Sequence, residues 1–220
     1  MAQKAKKKLD YERQPSEGWY RVIRCFFWLV FHTIWPLRSS GAGYVPRKGA
    51  ALIVSNHLSL IDPFVVAYAA NRLVNFMGKE ELFGLPVLGF LIRKLGSFPV
   101  DRSRTDPAAM RTAMGVLKGG ELLGMFPEGT RSTTGEMIEF RTGAARLAAR
   151  MGVPMIPAAV FNTNKAMPPG KFLRPARLVV RFGEPFELTE LHENPKDPEA
   201  LERALELIRV RIGALQGEGE

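Results

Sequence analysis

The stretch ALIVSNHLSLIDPFVV, Ala51 to Val66, decides the fold. Its first five residues, Ala51 to Ser55, form a short apolar run that reads as a strand. Asp62-Pro63 then opens a helix, with Asp as the N-cap and Pro in the first turn. The turn between them carries His57, one of only three histidines in the chain. A strand, a turn and a helix in that order make an α/β unit, and open α/β sheets hold their ligands at such turns, beyond the carboxyl ends of strands.

The same alternation continues outward. Val74 to Met77, Phe98 to Val100, Leu122 to Phe126, Met155 to Phe161 and Arg177 to Phe182 read as further strands. Asp106-Pro107 repeats the capping device before a helix that Gly119-Gly120 ends. Two more helices are predicted over Arg141 to Met151 and Glu199 to Leu215, and the closing QGEGE reads as a frayed end. The expected fold is α/β, a mixed central sheet flanked by helices, over residues 44 to 220. The chain's 220 residues suit one such catalytic domain plus an appendage. With 46% hydrophobic and 24% charged residues, the composition excludes a disordered or collagen-like chain.

The appendage is residues 1 to 43. The formal net charge is +9, and residues 1 to 50 hold ten Lys/Arg against three acidic residues, which is +7 of that total. The remaining residues carry no basic run interleaved with aromatics, so nucleic acid is excluded as a partner. After KAKKK comes Trp19 to Leu37, a segment containing all three tryptophans. Its uncharged part, Cys25 to Leu37, is 13 residues, short of the roughly 20 that a spanning helix needs. No small-residue cleavage site follows it, and Trp35-Pro36 closes it. The expectation is an interfacial helix with a polybasic leader, holding the protein on the cytoplasmic face of an anionic membrane as a peripheral or monotopic protein. A core helix packed on the domain is the alternative. The single Cys25 cannot form an internal disulfide, and no Cys/His cluster has metal-ligand spacing, so neither a metal nor another cofactor is expected.

Four stretches carry side chains suited to chemistry. A neutral His57 imidazole can take a proton from a hydroxyl, and the carboxylate of Asp62 can fix its tautomer if the turn folds back; as a bare helix cap, Asp62 would do neither. MFPEGTRS, Met125 to Ser132, is a second turn after a strand. There Gly129 frees the backbone, Arg131 offers a fork for two phosphate oxygens, and Glu128 either accepts from a substrate hydroxyl or orients Arg131. LGSFPVDRS supplies Arg102 at a strand end, as a phosphate contact or a solvated side chain. MGKEELFG supplies Lys79 after another strand, as a donor to a developing oxyanion or as plain surface.

These stretches, in this order, resemble the blocks of the glycerolipid acyltransferase family. Asn56, His57 and Asp62 are similar to its N-H-x-x-x-x-D block, and Gly96, Phe98 and Arg102 to its second. FPEGTRS, Phe126 to Ser132, matches the third at every position, and VPMIPAA, Val153 to Ala159, resembles the fourth. The resemblance implies acyl transfer from acyl-CoA or acyl-carrier protein to the free hydroxyl of a glycerophosphate lipid. Lysophosphatidate is the family's usual acceptor, with other lysolipids, glycerol-3-phosphate and amine-containing lipids as alternatives. It further implies His57 as general base, Asp62 as its orienter and Lys79 as oxyanion donor, with Asn56, Arg102, Glu128, Gly129, Thr130 and Arg131 around the acceptor. A hydrophobic tunnel for the acyl chain is expected, with Leu82 to Ile92 as one candidate wall. A hydrolase would want a G-x-S-x-G elbow, which is absent. A non-catalytic membrane-binding protein would leave His57, Asp62 and FPEGTRS unexplained.

Overall fold

The computed structural model describes residues 17–101, 103, 106–168 and 173–217. Arg102 and the KAKKK leader fall outside the described residues.

Seven strands form one sheet: β1 (Leu37–Ser40), β2 (Ala51–Ser55), β3 (Val74–Lys79), β4 (Phe98–Val100), β5 (Leu122–Met125), β6 (Met155–Phe161) and β7 (Leu178–Phe182). Their spatial order is β1-β7-β6-β2-β5-β3-β4. The five strands from β6 to β4 are parallel, whereas β7 runs antiparallel to β6 and β1 parallel to β7. The sheet is therefore mixed, and its parallel majority aims five carboxyl ends at one edge. β2 is central and all five of its residues are buried, as expected of a parallel strand covered on both faces. Its alternate side chains serve two cores. Leu52 and Val54 join the core under α4 (Pro107–Lys118), α5 (Gly143–Met151) and α8 (Pro198–Gly217). Ala51 and Ile53 join the opposite one, under α1 (Glu17–Thr33) and α2 (Asp62–Ala69).

Three elements depart from the sequence reading. β1, LRSS, lies inside the segment assigned to the leader; beyond a half-buried Leu37 its side chains are polar and exposed and carry no strand pattern, and edge pairing with β7 makes it a strand. α3 (Pro86–Lys94) is a helix within the stretch expected only as a tunnel wall. Asp62 does not cap α2: its carboxylate makes no capping bond to that helix, and Ile61 holds the N-cap position. Asp106 does cap, accepting from the N-H groups of Ala108 and Ala109 at 3.0 Å each.

The N-terminal helix has one face packed on the domain and one exposed. On one face Ile23 and Phe31 are buried, Phe27 stacks on Phe64 of α2 at 5.4 Å, and Phe31 meets Tyr68 at 5.0 Å. Trp35, beyond the helix, is also buried, donating its indole N-H to the Arg174 carbonyl at 2.8 Å. The other face leaves Trp19, Val22, Phe26, Trp28 and Leu29 about half exposed. Among the described residues no helix is long and apolar enough to cross a membrane.

Candidate active site

The register of β2 and β5 explains why His57 and FPEGTRS meet. Val54 pairs with Met125, so His57 and Glu128 each lie three residues beyond a matched position, on two turns leaving the same sheet edge. The two turns are bonded together at His57. Its backbone N-H donates to Glu128 Oε1 at 2.9 Å, and its carbonyl accepts the Ser132 N-H at 2.8 Å. Glu128 Oε2 accepts a longer bond from Ile138 N-H, 3.4 Å. With only 2% of its surface exposed, Glu128 is a strut between loops. Burial raises its carboxyl above the usual range, against the lowering effect of the two N-H donors.

The imidazole is gripped separately. His57 Nδ1 lies 2.8 Å from Asp62 Oδ2, and the same oxygen accepts the N-H groups of Leu58 and Ser59 at 2.6 and 2.7 Å. The turn does fold back, and its own amides orient the carboxylate. An oxygen already facing two donors acts as acceptor toward the ring, so Nδ1 carries the proton and Nε2 keeps its lone pair. Phe126 covers the imidazole, its ring parallel to within 14° and 4.0 Å away between centroids.

His57 lines a cavity of about 740 Å³. Leu60, Phe64 and Phe76 line it near His57, and Phe27 of α1 with Leu88, Leu91 and Ile92 of α3 line its apolar part. The Leu82 to Ile92 stretch therefore does contribute a wall, as a helix. Gly129, Thr130 and Arg131 line the same cavity, joined by Lys79 and Arg141. Arg131 has no side-chain hydrogen bond or ion pair among the described residues, and the same holds for Arg141. Gly129, at φ +68°, lets Arg141 pack against the turn, for a Cβ there would meet the Arg141 Nε at 2.6 Å. Lys79 sits at the exposed rim with Nζ 3.1 Å from Glu81 Oε1.

Two residues named for substrate contact point elsewhere. Asn56 uses both ends of its amide on Val160 of β6, donating to the carbonyl at 3.1 Å and accepting from the N-H at 2.8 Å. It clamps the β2 turn to the sheet. Glu128 is turned to the His57 backbone and does not line the cavity. Sequence reasoning missed Arg141, which lies ten positions beyond Arg131 with no motif of its own, and missed the aromatic contact on His57.

A proton acceptor whose tautomer is set, lining one cavity with two guanidinium groups unpaired among the described residues and with an apolar part, can deprotonate a hydroxyl on an anionic amphiphile. Residues 36–161 match the family described as Acyltransferase, more than half of the chain, and the chain belongs to that family. Among relatives, it is 28% identical to a 1-acyl-sn-glycerol-3-phosphate acyltransferase of Bacillus subtilis, over 79% of this chain and 85% of that protein. It is 34% identical to the chloroplastic 1-acyl-sn-glycerol-3-phosphate acyltransferase of Brassica napus, over 53% of this chain but only 34% of that longer protein. The crystal structure of the 1-acyl-sn-glycerophosphate acyltransferase PlsC from Thermotoga maritima superposes with a TM-score of 0.73 at 25% identity, covering 91% of this chain and 80% of that one.

Proposed function

We propose that the chain transfers an acyl group from a thioester, acyl-CoA or acyl-carrier protein, to the sn-2 hydroxyl of 1-acyl-glycerol-3-phosphate, giving phosphatidate. The observation that carries this reading is the His57–Asp62 pair set into a cavity that is apolar in one part and lined by Arg131 and Arg141 in another. His57 Nε2 removes the hydroxyl proton as that oxygen attacks the thioester carbonyl. Asp62 stabilises the imidazolium that forms. The tetrahedral intermediate then expels the thiolate, which leaves as a thiol with the proton returned from His57. The acceptor oxygen is itself the nucleophile, so no acyl-enzyme forms. A serine hydrolase would instead need a hydroxyl on His57 Nε2, and among the described residues none bonds to that nitrogen.

The acceptor phosphate fits between Arg131 and Arg141, whose forks bind two oxygens each. The oxyanion part that the family resemblance implies for Lys79 would need its ammonium to leave Glu81 and turn inward, and we assign it none. The acyl chain fits the apolar part of the cavity. The exposed apolar face of α1 continues onto Leu85, Val87 and Phe90 at α3, through an edge contact between Trp19 and Phe90 at 5.9 Å. With Arg21 on α1 and the basic KAKKK stretch preceding it in sequence, that surface suits an anionic leaflet, where both lipid substrate and product reside.

The test is to supply the purified chain with a labelled acyl thioester and a panel of acceptors. Lysophosphatidate should be acylated at the sn-2 hydroxyl, and Arg131→Ala and Arg141→Ala should each raise its KM by about tenfold or more, as loss of a charged hydrogen bond does, with the donor KM unchanged. Preference for an acceptor without phosphate would refute the reading.

A further inference from the structure

We infer that Phe126, backed by Phe76 and given room by Gly124, is a positioning residue that sets the plane of the His57 ring; this rests on His57 being the base. The bonds already described hold His57 at its backbone and at one ring nitrogen. They leave a torsion about the Cβ-Cγ bond, which for an imidazole is broad. A rocking ring would loosen its bond to Asp62 and tilt the Nε2 lone pair out of line with the acceptor hydroxyl. The Phe126 ring, parallel to within 14° and 4.0 Å off, removes that freedom and shuts water from one face of the base.

Phe126 is itself held. Phe76 stacks on its other side, 5.5 Å between centroids and 17° between planes. Phe76 comes from β3 and pairs in register with Gly124 of β5. A Cβ at Gly124 would come within 2.2 Å of the Phe76 ring, so only glycine there lets that ring lie across β5 and reach Phe126, two residues further on. The column His57–Phe126–Phe76 thus ties the turns beyond β2 and β5 to the body of the adjacent strand β3. The sheet itself becomes the support for the base.

The rival reading is that Phe126 only fills space between cavities. Phe126→Leu keeps an apolar side chain without the flat face, and it should lower kcat between about ten- and a hundredfold, the effect of misplacing a reacting group by about an ångström. KM for both substrates should stay within about twofold, and Phe126→Tyr should restore most of kcat, by the same argument. Gly124→Ala should lower both Tm and kcat by pushing Phe76 aside. Adding Phe76→Leu to it should return Tm without returning kcat, because the space is relieved and the backing ring is gone. A readout independent of activity is the NMR spectrum of labelled histidine. The His57 ring protons should lie upfield through the ring current of Phe126 and move downfield in Phe126→Leu. Equal kcat for the Leu, Tyr and wild-type chains, recovery of kcat together with Tm, or His57 ring protons at ordinary positions would each overturn the stack. A wild-type chain with shifted His57 protons that acylates nothing would instead overturn the proposed reaction.

Discussion

Asp62→Asn isolates the charge of the pair from its geometry. Three donors converge on Asp62 Oδ2, and Oδ1 has no partner among the described residues. An asparagine can therefore keep its oxygen where Oδ2 lies and put its amide nitrogen where Oδ1 lies, without facing an N-H. The tautomer of His57 and the turn at Leu58 and Ser59 are preserved, and only the attraction between carboxylate and imidazolium is lost. At a charge separation of about 4 Å and an effective dielectric of about 20, that attraction is about 4 kcal/mol. It converts to a fall in kcat of roughly a thousandfold. Steady-state acyl transfer to lysophosphatidate measures it, with a thermal melt to show that the variant is folded. A variant within tenfold of wild type at unchanged Tm would refute the idea that Asp62 acts through its charge.

Two further predictions concern the frame and the surface. Glu128 has a folded-state pKa raised by burial, so the folded chain binds its proton more tightly than the unfolded one, and stability falls as pH rises from the ordinary carboxylate range through the raised value. Glu128→Gln keeps an acceptor for His57 N-H and should flatten that slope in melts across pH with kcat held within about fivefold; Glu128→Ala leaves the amide buried and unpaired, a penalty of about 1–3 kcal/mol at the base itself, and should lose activity. Trp28→Ser with Leu29→Ser, and separately Val87→Ser with Phe90→Ser, should each weaken sedimentation with anionic vesicles by about tenfold or more, because each removes large apolar side chains from the exposed surface proposed to meet the lipid; unchanged sedimentation of either pair would remove that helix from the proposed contact.

Much of this site is written in local sequence, and most of the misreadings arise from contacts distant in sequence. β2, β4 and β6 have the bounds read from apolar runs alone; β2 and β6 are buried along nearly their whole length and so differ from their surroundings in composition. β1 was missed because an edge strand of LRSS gains its structure from pairing and carries no pattern of its own. The approach of His57 to Asp62 was legible, being a contact across five residues. The parts of Asn56 and Glu128 were not: their partners, Val160 and the His57 backbone, lie 104 and 71 positions away. Polar residue types in a motif suggested substrate contacts, and burial turned them to backbone amides instead. Arg141 and the Phe126 ring reach the site through packing, which no local spacing announces.

The central claim is that His57 takes the proton from the acceptor hydroxyl with no acyl group ever on the protein. Single-turnover transfer from a labelled thioester by His57→Ala, with wild type beside it, tests that claim most directly. The account predicts a folded variant that binds vesicles as wild type does, transfers essentially no label to lysophosphatidate, and, like wild type, carries no label on the quenched chain. Transfer at the wild-type rate by His57→Ala, or label trapped on the wild-type protein, would contradict it.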